Sequence, residues 1–336
     1  MAADAVANKK VRWGVLSTAN IGRAAVIPAI QASHNGELVA VASRDRAKGE
    51  AFAAQLGIAR VYDSYAALLE ADDIEAVYIP LPNSLHREWT IRAAEMGKHI
   101  LCEKPLALTA AECLEMDAAA SQHGVKLMEA FMYRFHPRTE MVLERLRAGA
   151  VGDLRLIHSA FTFRLTRPDN IRLKPELGGG ALMDVGCYCV NLSRTAAGAE
   201  PVEVQAVAVW GQSGVDEQLL GTLRFANGLL AQFDCALTLA RREEYQLSGT
   251  EACLSVSAAF LPGAEDVVLD EIRGRGERRA HTIQGADEYR IMVEHFADCI
   301  RHDTAPRYAA AEAAANMRVI EALYRSARQA GQPAAV

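Results

Sequence analysis

Val11-Arg-Trp-Gly-Val-Leu16 runs straight into Ser17-Thr18-Ala19-Asn20-Ile21-Gly22, and an alanine-rich segment that reads as helix follows. An apolar strand, a tight turn and a helix start, in that order, form the unit that cradles a pyrophosphate on backbone N–H groups at a helix N-terminus. The fingerprint is degenerate. Where G-x-G-x-x-G expects glycines the chain has Ser17, Ala19 and Gly22, so only the helix-packing glycine is kept. Serine and alanine are the smallest substitutes, and a hydroxyl can donate to a phosphate. Pro28 falls several residues into the segment and is expected to kink the helix without blocking its N-terminus.

A second strand, Leu38-Val-Ala-Val-Ala42, ends at Ser43-Arg44-Asp45, with Ser43 lying 21 residues after Gly22. An acidic residue at about this point holds the adenosine 2′-OH of NAD. Here a hydroxyl and a guanidinium come first, which is what a 2′-phosphate wants, so NADP is the better fit. Asp45 could reach the ribose, which leaves NAD open, or it could simply cap the next helix.

Strands and helices alternate up to about residue 130. A strand at 61–62 leads through Asp63-Ser64 to a helix over 65–71. Glu75-Ala-Val-Tyr-Ile79 stops at Pro80-Leu81-Pro82-Asn83, a helix covers 85–96, and His99-Ile-Leu-Cys102 delivers Glu103-Lys104-Pro105. Thr109-Ala-Ala-Glu112 is a capping-box sequence, and Val125–Glu129 is the sixth strand. Six strands alternating with helices make a doubly wound parallel sheet, so the residues after each strand gather at its carboxyl edge. Beyond Pro137 longer strands joined by hairpins take over. Asn227-Gly228 signals a type I′ turn between strands at 218–225 and 229–237, and further strands near 243–248, 252–257, 266–272 and 279–283 complete an antiparallel meander. The chain ends in helices at 287–301 and 310–329. An α/β fold follows: a dinucleotide-binding domain over 1–130, then an α+β domain over 131–336 with a large open antiparallel sheet. The helix at 310–329 is free to pack back on the first domain.

Composition agrees. At 336 residues and 51% hydrophobic content the chain can bury two ordinary cores. A net charge of −6 and the lack of a basic stripe argue against nucleic acid. Met1 to Lys10 lack the apolar core of a secretory signal, and no stretch is long enough to span a bilayer, so a cytoplasmic protein is expected. Seven cysteines, an odd number, suit reduced thiols. Cys187 and Cys189 lack complementary ligands at zinc spacing, so no metal is expected.

Two motifs carry candidate chemistry. Lys104, at the carboxyl end of a parallel strand, can set an ammonium against a phenol or hydroxyl that must lose a proton. Gly178-Gly-Gly180 opens a helix bearing Asp184 and Tyr188, which at i and i+4 project from one face.

These residues resemble the glucose-fructose oxidoreductase/inositol dehydrogenase (Gfo/Idh/MocA) family of NAD(P)-dependent oxidoreductases, from Val11 to about Gly331. The marks are Glu103-Lys104-Pro105, Pro82-Asn83 with His86, and Gly178-Gly-Gly-Ala-Leu-Met-Asp184-Val-Gly-Cys-Tyr188. Many members have His where this chain has Tyr188. The Tyr version, with Ser17–Gly22 and Glu129-Ala-Phe-Met-Tyr-Arg-Phe-His136, is similar to the branch of aldose and xylose dehydrogenases and dimeric dihydrodiol dehydrogenase. The resemblance implies a Rossmann domain, an NADP cofactor held by Ser17, Thr18, Ala19, Asn20, Ile21, Ser43, Arg44, Leu81, Pro82, Asn83, His86, Glu103 and Lys104, and oxidation of an aldose at C1. Trans-dihydrodiol oxidation is the enzymatic alternative, and a non-catalytic NAD(P)-binding sensor the alternative of another class.

In that mechanism Tyr188 takes the substrate's proton. Its reference pKa near 10 is too high for a neutral-pH base, but the Lys104 ammonium would stabilise phenolate. Asp184 would orient the substrate or Lys104. Arg134 is a weaker candidate for the sugar pocket, and Arg167 and Lys174, in the irregular stretch 164–179, read as surface charge. Leu223, Phe225, Leu230 and Phe233 put apolar side chains on both faces of the central hairpin, so the open face is expected to pair with a second subunit in a homodimer or tetramer.

Overall fold

The computed structural model describes residues 9–336, so most of the N-terminal stretch read above as lacking a signal core lies outside the described residues. The chain divides into two compact units, Met1–Met132 with Asp287–Ala314, and Tyr133–Ala286 with Ala315–Val336. Among the described residues no helix is long and apolar enough to cross a membrane.

The first unit is built on β1 (Val11–Leu16), β2 (Gly36–Ala42), β3 (Arg60–Tyr62), β4 (Ala76–Ile79), β5 (His99–Cys102) and β6 (Leu127–Glu129). All pairings are parallel and the order is β3-β2-β1-β4-β5-β6. The order reverses between β1 and β4, and the crevice at the carboxyl ends of those two strands is where open α/β sheets take ligands. β4 is buried along its whole length, as a strand covered on both faces must be. The expected cap forms at residue 109: Thr109 Oγ1 accepts the Glu112 N–H at 3.1 Å, and Glu112 reaches back to the Leu108 N–H at 2.9 Å.

Pro28 lies several residues into a helical run over 20–32, and the run is irregular just before it. Gly22–Val26 is a π turn, and the α-helix proper starts only at Ile27, with Pro28 in its first turn. The wider turn lets the Ile27 N–H bond the Gly22 carbonyl, five residues back, directly before Pro28, which has no N–H to continue the ladder. The helix Glu288–Arg301 returns to this unit. Phe296 packs on Trp13 with ring centroids 5.8 Å apart, and Arg301 forks onto both oxygens of Glu75 at 2.8 Å.

The second unit carries a nine-stranded sheet made of β7 (Leu154–Arg164), β8 (Pro201–Trp210), β9 (Asp216–Phe225), β10 (Leu230–Ala236), β11 (Thr238–Gly249), β12 (Ala252–Ser257), β13 (Val267–Arg273), β14 (Glu277–Ile283) and β15 (Ala334–Ala335). Its order is β14-β13-β12-β11-β7-β10-β9-β8-β15. The sheet is mostly antiparallel, with one parallel pair, β7 and β10. The exception is forced: β10 and β11 are joined through Leu237 and run in opposite directions with β7 between them, so one of the two must run parallel to β7.

The 225–229 turn is also not type I′. Gly228 alone has positive φ (84°), the Gly228 N–H bonds Phe225 O at 3.1 Å, and the Phe225 N–H bonds Leu229 O at 3.0 Å. That is a type I turn closed by a left-handed glycine bulge, which asks nothing unusual of Asn227. Of the four apolar residues assigned to both faces, Leu223, Phe225 and Phe233 are buried and only Leu230 is exposed, at 50%. The outward face is supplied instead by Leu156, opposite Leu230, and by Val207, opposite Leu220.

Candidate active site

Cofactor chemistry in the first unit begins with backbone geometry. Ser17 leaves β1 at φ 124°, a conformation that L-residues rarely adopt. It replaces the first glycine of the fingerprint in position and in backbone shape. Its hydroxyl is tied in two directions, donating to Pro80 O at 3.3 Å and accepting the Ala19 N–H at 3.2 Å. These bonds join the carboxyl ends of β1 and β4 and hold the turn open over the helix start. The first amides of a helix have no intrahelical acceptor and face outward with partial positive charge. The turn at Asn20–Gly22 therefore fits a dinucleotide's pyrophosphate.

At the end of β2 the polar groups sort themselves. The Ser43 hydroxyl donates to Asp45 O at 2.7 Å. Asp45 is spent on its own helix: its carboxylate accepts the Lys48 N–H at 3.1 Å, which holds its pKa below the usual carboxylate range. Arg44 is exposed beside Tyr65, whose pKa burial raises while a hydrogen bond from Arg44 opposes the shift.

Beyond β4, Leu81, Pro82 and Asn83 form the loop leading to His86. That histidine is buried and both ring nitrogens face main-chain carbonyls, Nε2 at 2.9 Å from Leu81 O and Nδ1 at 3.0 Å from Pro105 O. It lies between the Leu81–Asn83 loop and the segment after β5, and which of the two carbonyls takes its N–H depends on the tautomer. Burial lowers its pKa, which favours the neutral ring, and a neutral ring has a single N–H to donate. Glu103 accepts the Tyr78 hydroxyl at 2.5 Å, and Glu129 accepts the Leu106 N–H at 2.7 Å. The chain on both sides of half-buried Lys104 is thus anchored, and the Lys104–Pro105 peptide is cis.

In the second unit each glycine of Gly178-Gly-Gly180 has its own reason. Gly178 ends the turn Pro175–Leu177 at φ 77°. A Cβ on Gly179 would lie 2.5 Å from the Arg172 carbonyl oxygen. Gly180 sits at φ 120°, where a Cβ would overlap Asp216. The run lets the 171–174 backbone pass against the helix start, with the Gly180 N–H bonding Arg172 O at 2.9 Å.

That approach delivers Arg172, a residue the sequence reading passed over. Its Nε donates to Asp184 Oδ2 at 2.5 Å, and its guanidinium lies 5.8 Å from the Phe163 ring centroid. Arg172 sat in a stretch without periodicity, so only its distance of twelve residues from Asp184 could have hinted at the pair. Leu182–Gly186 is a π turn before the α-helix Cys187–Ala197, so Asp184 and Tyr188 are not an ordinary i,i+4 pair on one α-helical face.

Tyr188 is 4% exposed. Its ring lies between Tyr133, Phe161 and Phe260, with centroids 5.8, 5.3 and 5.4 Å away. Tyr133 is itself fixed by donating to Asn191 Oδ1 at 2.6 Å. The clamp sets the ring plane, so any chemistry Tyr188 performs belongs to its hydroxyl. Arg134 is buried on the turn Met132–Phe135. Arg167 and Lys174 are exposed.

Comparison with known proteins adds to this geometry. Residues 11–131 match the model of an oxidoreductase family with an NAD-binding Rossmann fold, and residues 139–255 match the GFO/IDH/MocA C-terminal domain. The chain is 40% identical over 318 residues to a D-xylose 1-dehydrogenase (NADP(+)) of Haloferax volcanii, covering 94% of this chain and 97% of that protein. It resembles the crystal structure of a 3-ketoreductase from Actinomadura kijaniata in complex with NADP and TDP-benzene, with a TM-score of 0.91 and 30% identity over 95% of this chain and 98% of that one. It also resembles an aldose-aldose oxidoreductase from Caulobacter crescentus complexed with glycerol, with a TM-score of 0.90 and 29% identity over 98% of this chain and 100% of that one.

The glycine run yields a direct test. Gly180→Ala adds a side chain at positive φ and into Asp216, and should lower unfolding free energy by about 2–4 kcal/mol. Urea denaturation followed by circular dichroism measures this, and a variant as stable as wild type would contradict the close approach.

Proposed function

The chain belongs to the Gfo/Idh/MocA family of NAD(P)-dependent oxidoreductases, and from that premise we propose that it is an NADP-dependent aldose dehydrogenase that oxidises a sugar such as xylose or glucose at C1. The observation that carries the substrate class is the 40% identity to an NADP-dependent xylose dehydrogenase across nearly the whole of both chains. A bound nicotinamide would supply the hydride acceptor for this oxidation.

The chain's residues handle the proton. The Tyr188 hydroxyl, deprotonated, takes the proton of the C1 hydroxyl. The Lys104 ammonium stabilises that phenolate and hydrogen-bonds the reacting oxygen. Asp184, fixed by Arg172, orients the sugar. Ser17 to Gly22 would cradle the pyrophosphate and Arg44 would meet the adenosine 2′-phosphate, with Asp45 turned to its own helix.

NADP should bind at least about tenfold tighter than NAD, a difference of about 1.4 kcal/mol within reach of one charge-assisted contact. Arg44→Ala should erase most of it, and equal affinities of the wild type in a fluorescence titration would refute the preference.

With a panel of aldoses, polyols and diols and absorbance of the reduced cofactor as readout, aldoses should be the best substrates. Tyr188→Phe should leave NADP binding intact and lower kcat by roughly 10²–10⁴. Lys104→Ala should lose at least as much, and the two losses should not add. A Tyr188→Phe enzyme keeping more than about a third of wild-type kcat, with chemistry rate-limiting, would remove Tyr188 from this role.

The outward face of the nine-stranded sheet, with Val207, Val209, Leu220 and Leu230 each at least 44% exposed, is where a second copy would pair. Light scattering should give a dimer or tetramer at micromolar concentration, and Leu220→Glu with Leu230→Glu should release monomers. A wild-type monomer would contradict the assembly.

A further inference from the structure

We propose that Asp216, together with Tyr324, is a positioning residue for the reaction, fixing the start of the helical segment that bears Asp184 and Tyr188. The inference rests on the role given to Tyr188 above.

Asp216 is the first residue of β9 and is 1% exposed. One carboxylate oxygen accepts the Leu182 N–H at 2.7 Å, the first amide of the π turn. The other accepts the Tyr324 hydroxyl at 2.8 Å, from the helix Ala310–Arg328. Gly180 leaves room for the carboxylate by having no side chain. From Leu182 through Ala197 the chain is continuously helical, so a negative charge at its first amide also meets the positive end of the segment's dipole.

This carboxylate has no ion pair among the described residues. The titratable groups facing it are Tyr324, which Arg328 also influences, and Cys235 on β10. Burial outweighs its hydrogen bonds and pushes its pKa up to about 6. Sign follows from that direction: the folded protein holds the Asp216 proton more tightly than the unfolded chain, so its ionisation opposes folding as pH rises through that range. A buried charge without a counter-ion is a poor choice for stability alone, since an asparagine of the same shape avoids the desolvation. What asparagine lacks is a second acceptor oxygen, so it cannot accept from both the Leu182 amide and the Tyr324 hydroxyl, and the hydroxyl must turn round to accept or lose its bond.

The assignment is tested in the full-length enzyme with Asp216→Asn and Tyr324→Phe beside Tyr188→Phe. Asp216→Asn should melt at or above the wild-type temperature, while kcat falls about tenfold because the reacting groups are displaced, and KM for NADP should stay within about twofold. Tyr324→Phe leaves the carboxylate in place and should show a smaller loss of kcat with the same unchanged KM. If Asp216→Asn does not fold, Tyr324→Phe decides, and wild-type kcat in that variant overturns the proposal. Wild-type kcat in Asp216→Asn, or a loss fully accounted for by a lower folded fraction, overturns it as well. These failures are distinct from that of the underlying reading, which would show as an active Tyr188→Phe enzyme.

Discussion

The passage of the 171–174 backbone against Gly179 and Gly180 sets the surroundings of Asp184 in the second unit. With a side chain at either glycine the loop would stand off from the helix start. Arg172 would then lose its hold on Asp184, and Asp216 would lose the space in which it meets the Leu182 amide. Three consecutive glycines are costly to order, because each gives up more conformational freedom than any other residue. The cost is offset only if the close approach is needed.

A parallel logic governs the first unit at the other end of the scale. There one residue that ought to be glycine is serine, held at positive φ by hydrogen bonds to Pro80 and Ala19. Tyr78 secures Glu103 in the same way, and His86 lies between the Leu81 and Pro105 carbonyls. Each unit also begins its candidate ligand-facing helix with a π turn, Gly22–Val26 in one and Leu182–Gly186 in the other. Departures of this kind are expected where a fold serves a site, because local rules relax there and the surroundings compensate.

Most of the architecture was legible because its signals are local. Alternating strands and helices, the Thr109 cap and the His99–Cys102 strand follow from periodicity and side-chain chemistry within a few residues. What escaped depends on chain contacts distant in sequence. The parallel pairing of β7 with β10 follows from which strands flank β7, and no pattern within β7 records that. The faces of Leu223, Phe225 and Phe233 depend on register. The π turns replace an α pattern without changing composition, and Arg172 and Asp216 matter only through partners brought to them by the fold. Lys104, Asp184 and Tyr188 stood out in the sequence because glycines and prolines around them punctuate the chain.

The pairing of Arg172 with Asp184 bears on how a tyrosine could serve as a base. A carboxylate near a phenol favours the neutral phenol, since like charges disfavour a second ionisation. A guanidinium bonded to that carboxylate, as Arg172 is to Asp184, offsets its field. The aromatic clamp of Tyr133, Phe161 and Phe260 fixes the ring but offers no charge of its own. The proposed chemistry therefore gives the stabilisation of phenolate to a cation, the role assigned to the Lys104 ammonium.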